Sequence, residues 1–384
     1  MTKKTKIAYI SGTRADFGLM SYVLHSIEKD SSFDLTIYST GMHLMKEFGY
    51  TYNEIKKQFP NVQKIEATFV EDNELGASNF ISSFLEKITR SLSKERPDFV
   101  LTLGDRPEML STAVACNYLH IPTGQLHGGE KTSTIDEISR HAITKLSHLH
   151  FPATIESANR IRKMGEESWR VHVVGAPSLD VILHSPLPSK AELENKLKLR
   201  FKKPPILVTL HPISNDWQQS SFQMKQVLEA VKKIARDTVI VFPNADAGGR
   251  SMIQTIRAYS KIPFFHIFPN IEYTYFLALE KEASVWVGNS SGAIIESPSF
   301  KLPAVNVGPR QEGRQRAENI IDASYNINVI KASILKAIND KSFRNKISKI
   351  KNPWGDGNAS QRLMTRLRNL PAKNRLLKKK LTYA

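Results

Sequence analysis

Residues 6–28 read KIAYISGTRADFGLMSYVLHSIE, and this stretch decides the fold. Lys6–Ser11 is an apolar run short enough for a buried strand. Gly12–Gly18 (GTRADFG) forms a turn, and apolar residues recur at helical spacing from about Phe17 to Glu28. Strand, turn and helix in that order make the opening unit of a parallel α/β sheet. The same alternation continues outward. Strands are expected at Leu35–Ser39, Val62–Thr68, Phe99–Leu103, Thr123–His127 and Val171–Val174, with helices at Ser78–Arg90, Glu108–Tyr118 and Ile135–Leu146.

The Pro- and Ser-rich stretch His184–Glu192 (HSPLPSKAE) interrupts the pattern and is taken as a linker. A second pass follows. It has strands at Pro205–Leu210, Val239–Phe242, Phe264–Ile267, Ser284–Val287 and Ala304–Val307, and helices at Phe222–Arg236 and Gly249–Tyr259. The spacing predicts an α/β protein of two Rossmann-like, doubly wound halves, residues 1–184 and 185–360, facing a central cleft. A basic terminal segment, 361–384, comes after them. Such halves bind ligands outside the carboxyl ends of their strands, so the unusual residues there are the candidates.

Composition narrows the function classes. The chain has 384 residues, of which 41% are hydrophobic and 24% charged, the balance of a folded globular protein. No apolar run approaches the ~20 residues that cross a bilayer, so membrane insertion is not expected. The N-terminus lacks the core of a secretory signal. One cysteine, Cys116, leaves no disulfide framework or Cys-cluster zinc site and fits a cytoplasmic location. The formal net charge is +17, but eight basic and no acidic residues fall in 361–384, so the body of the protein is only moderately basic. No nucleic-acid-binding motif accompanies that charge, and a nucleic-acid partner is not expected.

Each predicted strand end carries a motif. Gly12–Gly18 offers N–H groups at a helix start together with the Arg14 guanidinium, a pattern suited to an anion. LTLGDRPEM (Leu101–Met109) sets Asp105 and Arg106 at the mouth of the cleft, with Glu108 behind. QLHGGEKTSTIDEISRH (Gln125–His141) crowds His127, Glu130, Asp136 and Glu137 into a short span. Crowded carboxylates and a histidine shift one another's pKa values into the range of acid–base catalysis. The same residue types also ligate zinc or manganese; without HExxH spacing, acid–base use is favoured and no metal or other cofactor is expected. In the second half His211, Asn244 and Asp246 follow strands. VGNSSGAIIES (Val287–Ser297) reads as a hydroxyl-rich helix start for a diphosphate. Glu296 lies further along it as a ribose acceptor, and Arg310 and Arg314 follow the next strand.

Taken together, GTRADFG, TGMHL, GDRPEM, HGGEKTSTIDEISRHAITKLSHLHF, VVGAPSLD, FPNADAGG, GNSSGAIIE and VGPRQEGR resemble the hydrolysing UDP-N-acetylglucosamine 2-epimerases of sialic-acid biosynthesis. The resemblance implies the glycosyltransferase-B arrangement of two facing domains, a homodimer or homotetramer, and no metal. It implies conversion of UDP-N-acetylglucosamine and water to N-acetylmannosamine and UDP through a 2-acetamidoglucal. Alternatives are the same reaction on UDP-2,4-diacetamido-2,4,6-trideoxyglucose, of the legionaminic-acid pathway, and a non-hydrolysing epimerase. By the same resemblance Asp105, His127, Glu130, Asp136 and Glu137 form the acid–base set. Arg14, Gly18, Arg106, His211, Asn244, Ser290, Ser291, Glu296 and Arg310 form the UDP-binding set. His127 stands where some relatives have glutamate, and Glu137 where some have aspartate.

Overall fold

The computed structural model describes residues 4–382. Twelve strands form two parallel six-stranded sheets. The first contains β1 (Thr5–Ser11), β2 (Phe33–Ser39), β3 (Gln63–Lys64), β4 (Phe99–Leu103), β5 (Thr123–Leu126) and β6 (Leu149–Phe151), in the order β3-β2-β1-β4-β5-β6. The second contains β7 (Ile206–Thr209), β8 (Thr238–Val241), β9 (Phe265–Phe268), β10 (Val285–Gly288), β11 (Ala304–Val307) and β12 (Ile320–Ala323), in the order β12-β11-β10-β7-β8-β9. Strands β4, β7 and β10, and β1 from Ile7 onward, are mostly apolar and buried, as strands covered by helices on both faces must be.

In each sheet the strand order reverses once, between β1 and β4 and between β7 and β10. Loops leaving the two strands at such a point diverge to opposite faces and open a crevice. The residues after β1, β4, β7 and β10 therefore stand at the two crevices, and the halves are set so that these face each other.

Two expected strands are not formed as expected. Only Gln63–Lys64 of 62–68 pairs with β2. Beyond it Ile65, Ala67 and Phe69 still point inward, but the carbonyls of Ile65 and Ala67 accept from the Thr40 hydroxyl and Gly41 N–H instead of from a strand. Of 171–174 only Val171 forms an isolated bridge, to His150. The stretch read as a linker ends inside a helix, because Ser189 and Glu192 form a capping box that starts Lys190–Leu197. β6 and β12 were not foreseen; LHF and IIDA are too short to show a period.

The chain's last segment returns to the first half. Asp180 accepts the first N–H groups of the Ala359–Arg368 helix, from Ala359 at 2.9 Å and Ser360 at 2.6 Å. Leu363, Met364 and Leu367 join the core that contains Val23, Leu24 and Ile27. Further on, Arg170 donates to the carbonyls of Leu376 (2.9 Å) and Lys378 (3.0 Å). Lys379 reaches the carbonyls of Lys145 and Ser147, both at 2.6 Å, and the Glu166 carboxylate at 2.7 Å. Arg362 and Arg368 pair with Asp356 and Asp30. Arg362, Arg368 and Lys379 of the basic terminal segment are thus paired with carboxylates within the fold. No helix among the described residues is long and apolar enough to cross a membrane.

Candidate active site

The cleft has two compartments that share Thr13, Ala15, Leu19, Asn244, Ser291 and Ile295. The larger is walled mainly by the second half, with Arg14, Met42 and Phe48 of the first half opposite. Phe242, Pro243, Ile271 and Phe276 make an apolar end, and His211, Ser290, Ser291 and Glu296 supply polar groups. The second compartment is walled by Asp105, Arg106, His127, Asp136 and Arg140 from the first half, with Asp246, Arg310 and Arg314 opposite.

His127 follows β5 with φ +57°, a left-handed backbone that side chains other than glycine rarely adopt and that costs about 1–3 kcal/mol. Gly128 and Gly129 let the chain turn at once, so that Glu130 comes back under the ring. The Nδ1 of His127 and Oε1 of Glu130 are 2.5 Å apart, and the ring stacks on Trp354 at 6.2 Å. The other Glu130 oxygen accepts from Nε of Arg314, at 3.0 Å, and from its Nη2. Burial alone would raise the Glu130 carboxyl, but Arg314, His127 and Arg140 carry it well below the usual carboxylate range. So held, Glu130 is favoured in its ionised form. It orients the imidazole that faces the cavity, as carboxylates orient catalytic histidines elsewhere.

Asp105 accepts from Arg140, whose other terminal nitrogen binds the Glu130 carbonyl at 3.0 Å. Asp136 begins the Ile135–Leu146 helix, and its carboxyl is pushed up, first by burial and next by the charge of Asp105. Arg310 approaches Asp136 at 3.5 Å from across the cleft. Arg106 is paired with buried Glu108 at 3.2 Å and with Asp246 at 3.5 Å. His127, Asp105 and Asp136 therefore line one cavity while the basic groups close it.

Glu137 does not join them. It accepts from the Thr132 N–H at 2.5 Å and faces a separate surface hollow beside Ile138 and His141. One residue after Asp136 on a helix, it points about 100° away. Gly18 does not line the cleft either. A Cβ there would meet the Tyr273 ring at 2.4 Å, so this glycine permits the two halves to touch. Nor is the Gly12–Gly18 turn free for an anion, because Asp16 takes the N–H groups of Gly12 (3.0 Å) and Thr13 (2.7 Å). Arg14 is in the cleft; it donates to Asn270 at 2.6 Å and leaves its buried Nη2 without a protein partner among the described residues.

On the opposite wall the Asn289 side chain clasps the backbone of His211 through two bonds, of 2.7 and 2.9 Å. The Asn244 N–H donates to Nδ1 of His211 at 3.2 Å, which leaves the ring proton on Nε2. Burial, then Arg310 and Arg106, push this histidine down to about 3, so it is a neutral donor. Ser290 and Ser291 lead into a helix of one turn only, Gly292–Ile295, shorter than expected because Pro298 follows. Glu296 closes that turn, deeply buried, and accepts from the Tyr273 hydroxyl.

With this geometry in view, a family model described as UDP-N-acetylglucosamine 2-epimerase matches residues 25–368. The chain belongs to that family. It is 36% identical over 375 residues, 97% of this chain and 98% of the relative, to UDP-N,N'-diacetylbacillosamine 2-epimerase (hydrolyzing) of Legionella pneumophila. It is 33% identical over 320 residues, 83% of this chain and 84% of the relative, to UDP-N-acetylglucosamine 2-epimerase of Neisseria meningitidis serogroup B. The fold matches the crystal structure of UDP-GlcNAc 2-epimerase from Neisseria meningitidis bound to UDP-GlcNAc, with a TM-score of 0.78 and 21% identity over 95% of this chain and all of that one. The facing Rossmann-like halves are thus the glycosyltransferase-B arrangement of this 2-epimerase family.

Several residues of this epimerase site escaped the sequence reading. Tyr273, Asn270 and Trp354 come from stretches without a motif; only the fold carries the first two to the cleft and the third behind the His127 ring. Arg140 carries no expected role in its motif, and Arg314 is expected there as a phosphate or base contact; in the fold they pair with Asp105 and Glu130 instead.

Proposed function

We propose that this protein is a hydrolysing 2-epimerase of a UDP-2-acetamido sugar, with UDP-2,4-diacetamido-2,4,6-trideoxyglucose (UDP-N,N'-diacetylbacillosamine) as its substrate. The observation that carries the substrate is the likeness to the Legionella pneumophila enzyme, which spans nearly all of both chains. UDP lies in the larger compartment. The base sits at the Phe242–Pro243 end, the ribose on Glu296, and the diphosphate among Ser290, Ser291 and His211, with Arg310 reaching it from the second compartment. The sugar then falls in the second compartment, where Leu19, Leu103, Pro107 and Ile295 give apolar surface for a 6-deoxy ring.

In this reading one group removes the proton at carbon 2 while the bond from carbon 1 to UDP breaks, giving the 2-acetamidoglucal. Water adds to carbon 1, and a second group returns a proton to the opposite face of carbon 2. His127, oriented by Glu130, and Asp136, with its raised carboxyl, are the two proton carriers. Asp105 keeps Arg140 neutralised beside them. Arg310 and the His211 Nε2–H receive the charge that develops on the departing diphosphate.

A second reading, UDP-N-acetylglucosamine as substrate and N-acetylmannosamine as product, is supported by the 33% identity to the Neisseria meningitidis protein. Incubating the protein with each UDP-sugar, and assaying free UDP and the free sugar, distinguishes the two. The proposal expects free UDP and 2,4-diacetamido-2,4,6-trideoxymannose. A product still attached to UDP would replace hydrolysis with reversible epimerisation, and turnover of UDP-N-acetylglucosamine alone would favour the second reading.

A further inference from the structure

We infer that Arg314 is a positioning residue that ties closure of the cleft to the orientation of His127, so that the proton-carrying imidazole is assembled only when the two halves meet. The inference rests on the His127–Glu130 pair having the role proposed above. Glu130 follows β5 in the first half, and Arg314 follows β11 in the second; 184 residues separate them. Glu130 divides its two oxygens, Oε1 to Nδ1 of His127 and Oε2 to two nitrogens of Arg314.

The surface behind the ring is Trp354, which packs against Ile294 and Ile295 of the second half and accepts from the Ala176 N–H of the first at 2.8 Å. Trp354 stacks on His127 with an interplanar angle of 29°, and the Arg314 guanidinium lies 5.6 Å from the centre of the same indole. Arg314 is itself fixed on its own half, because its Nη1 donates to Gln311 at 2.8 Å and Gln311 donates to the Asn289 carbonyl at 2.8 Å. Asn289 is the residue that clasps His211. A continuous run of hydrogen bonds thus leads from the diphosphate wall, through Asn289, Gln311, Arg314 and Glu130, to the imidazole.

Parting the halves by even a few ångströms breaks the Arg314–Glu130 contact. Glu130 is then a buried carboxylate that has lost its strongest partner, free to leave the ring for water. An ion pair with both side chains nearly sequestered, at 8% and 1% exposure, is the kind whose disruption is costly. His127 on its strained backbone has no other side-chain hydrogen-bond partner among the described residues, so its direction depends on this contact.

The test uses UDP alone and full-length protein with 15N-labelled histidine, so it does not depend on which sugar is turned over. In the wild type, UDP should move the His127 ring signals to the single tautomer with the proton on Nδ1. In Arg314→Gln, UDP should still bind within about twofold of wild type while the His127 signals stay as in the free protein. Arg314→Lys, a point charge without the fork, should restore part of the response. With the turnover assay in hand, kcat of Arg314→Gln should fall about tenfold or more with KM little changed, and adding Glu130→Gln should cost little further. An unchanged UDP response of His127 in Arg314→Gln would overturn the inference. So would a loss of UDP affinity of about tenfold, which would make Arg314 a diphosphate ligand. If neither UDP-sugar is turned over by the wild type, the functional reading fails while the His127 response still stands or falls by itself.

Discussion

Tyr273 donates its hydroxyl to Oε1 of Glu296 at 2.5 Å, and the ring of the same tyrosine presses on Gly18 of the opposite half. One side chain thus holds the proposed ribose acceptor and forms part of the contact between the halves. Removing a charge-assisted hydrogen bond from a buried site costs about 1.5–3 kcal/mol, so Glu296→Ala should weaken UDP about ten- to a hundredfold. Tyr273→Phe should weaken it less, because the carboxylate remains. Calorimetric titration with UDP measures both, and unchanged affinity in Glu296→Ala would place the ribose elsewhere.

Glu280 lies behind that pair, fully buried, and neither of its carboxyl oxygens has a hydrogen-bond partner among the described residues. Burial, and then the charge of Glu296, raise its carboxyl well above the ordinary 4.5. The folded protein therefore keeps a proton that the unfolded chain gives up. The stabilisation from holding that proton is complete below about pH 4.5 and is lost as pH rises toward and through the raised value. Glu280→Gln has nothing to release. Its unfolding temperature relative to wild type should climb between pH 5 and pH 8; a constant difference would mean that Glu280 is ionised in the fold.

Gly18→Ala tests the contact between the halves directly. The new Cβ would lie 2.4 Å from Cγ and 2.8 Å from Cβ of Tyr273. Overpacking of this kind costs about 1–3 kcal/mol where the neighbour cannot move. Here the halves can part instead. The variant should keep its unfolding temperature within a few degrees, bind UDP more weakly, and show a larger radius of gyration by X-ray scattering in the presence of UDP. Wild-type affinity and radius would show that Tyr273 simply rotates away.

Arg250 makes a second connection, at the rim. It pairs with Glu47 at 2.7 Å and donates to the carbonyls of Phe69 and Val70, while Asp72 receives the N–H groups of Arg250 and Ser251. Arg250→Ala should leave the cleft chemistry intact and loosen closure. The expected result is a rise in KM of several-fold with kcat kept or increased, the latter where product release limits turnover. A fall in kcat with unchanged KM would count against a latch.

The parallel sheets were legible because β1, β4, β7 and β10 are continuous apolar runs that end in glycine- or proline-containing turns. Short edge strands were not, since β6 and β12 draw their pairing from neighbours rather than from any period of their own. At the site, sequence proximity identified the right loops but not which members of a loop face the ligand. Asp136 and Glu137 are adjacent and point to different cavities. Glu130 sits among the acid–base residues by position, yet Arg314 from the other half fixes its charge. Contacts of that kind join residues far apart in the chain, and local pattern carries no trace of them.

The return of the Ala359–Arg368 helix to the first half has a consequence for biogenesis. A ribosome releases residues 4–184 long before it makes Leu363, Met364 and Leu367, which fill the groove beside Val23, Leu24 and Ile27. The nascent first half therefore waits with an open apolar seam while the second half is translated, the period in which such surfaces are most exposed to aggregation or chaperone capture. Asp180, Arg170 and Glu166 wait as well, until the final residues bring the backbone and lysine that they bind. A premature stop in the last few dozen codons would accordingly damage the half that was translated first.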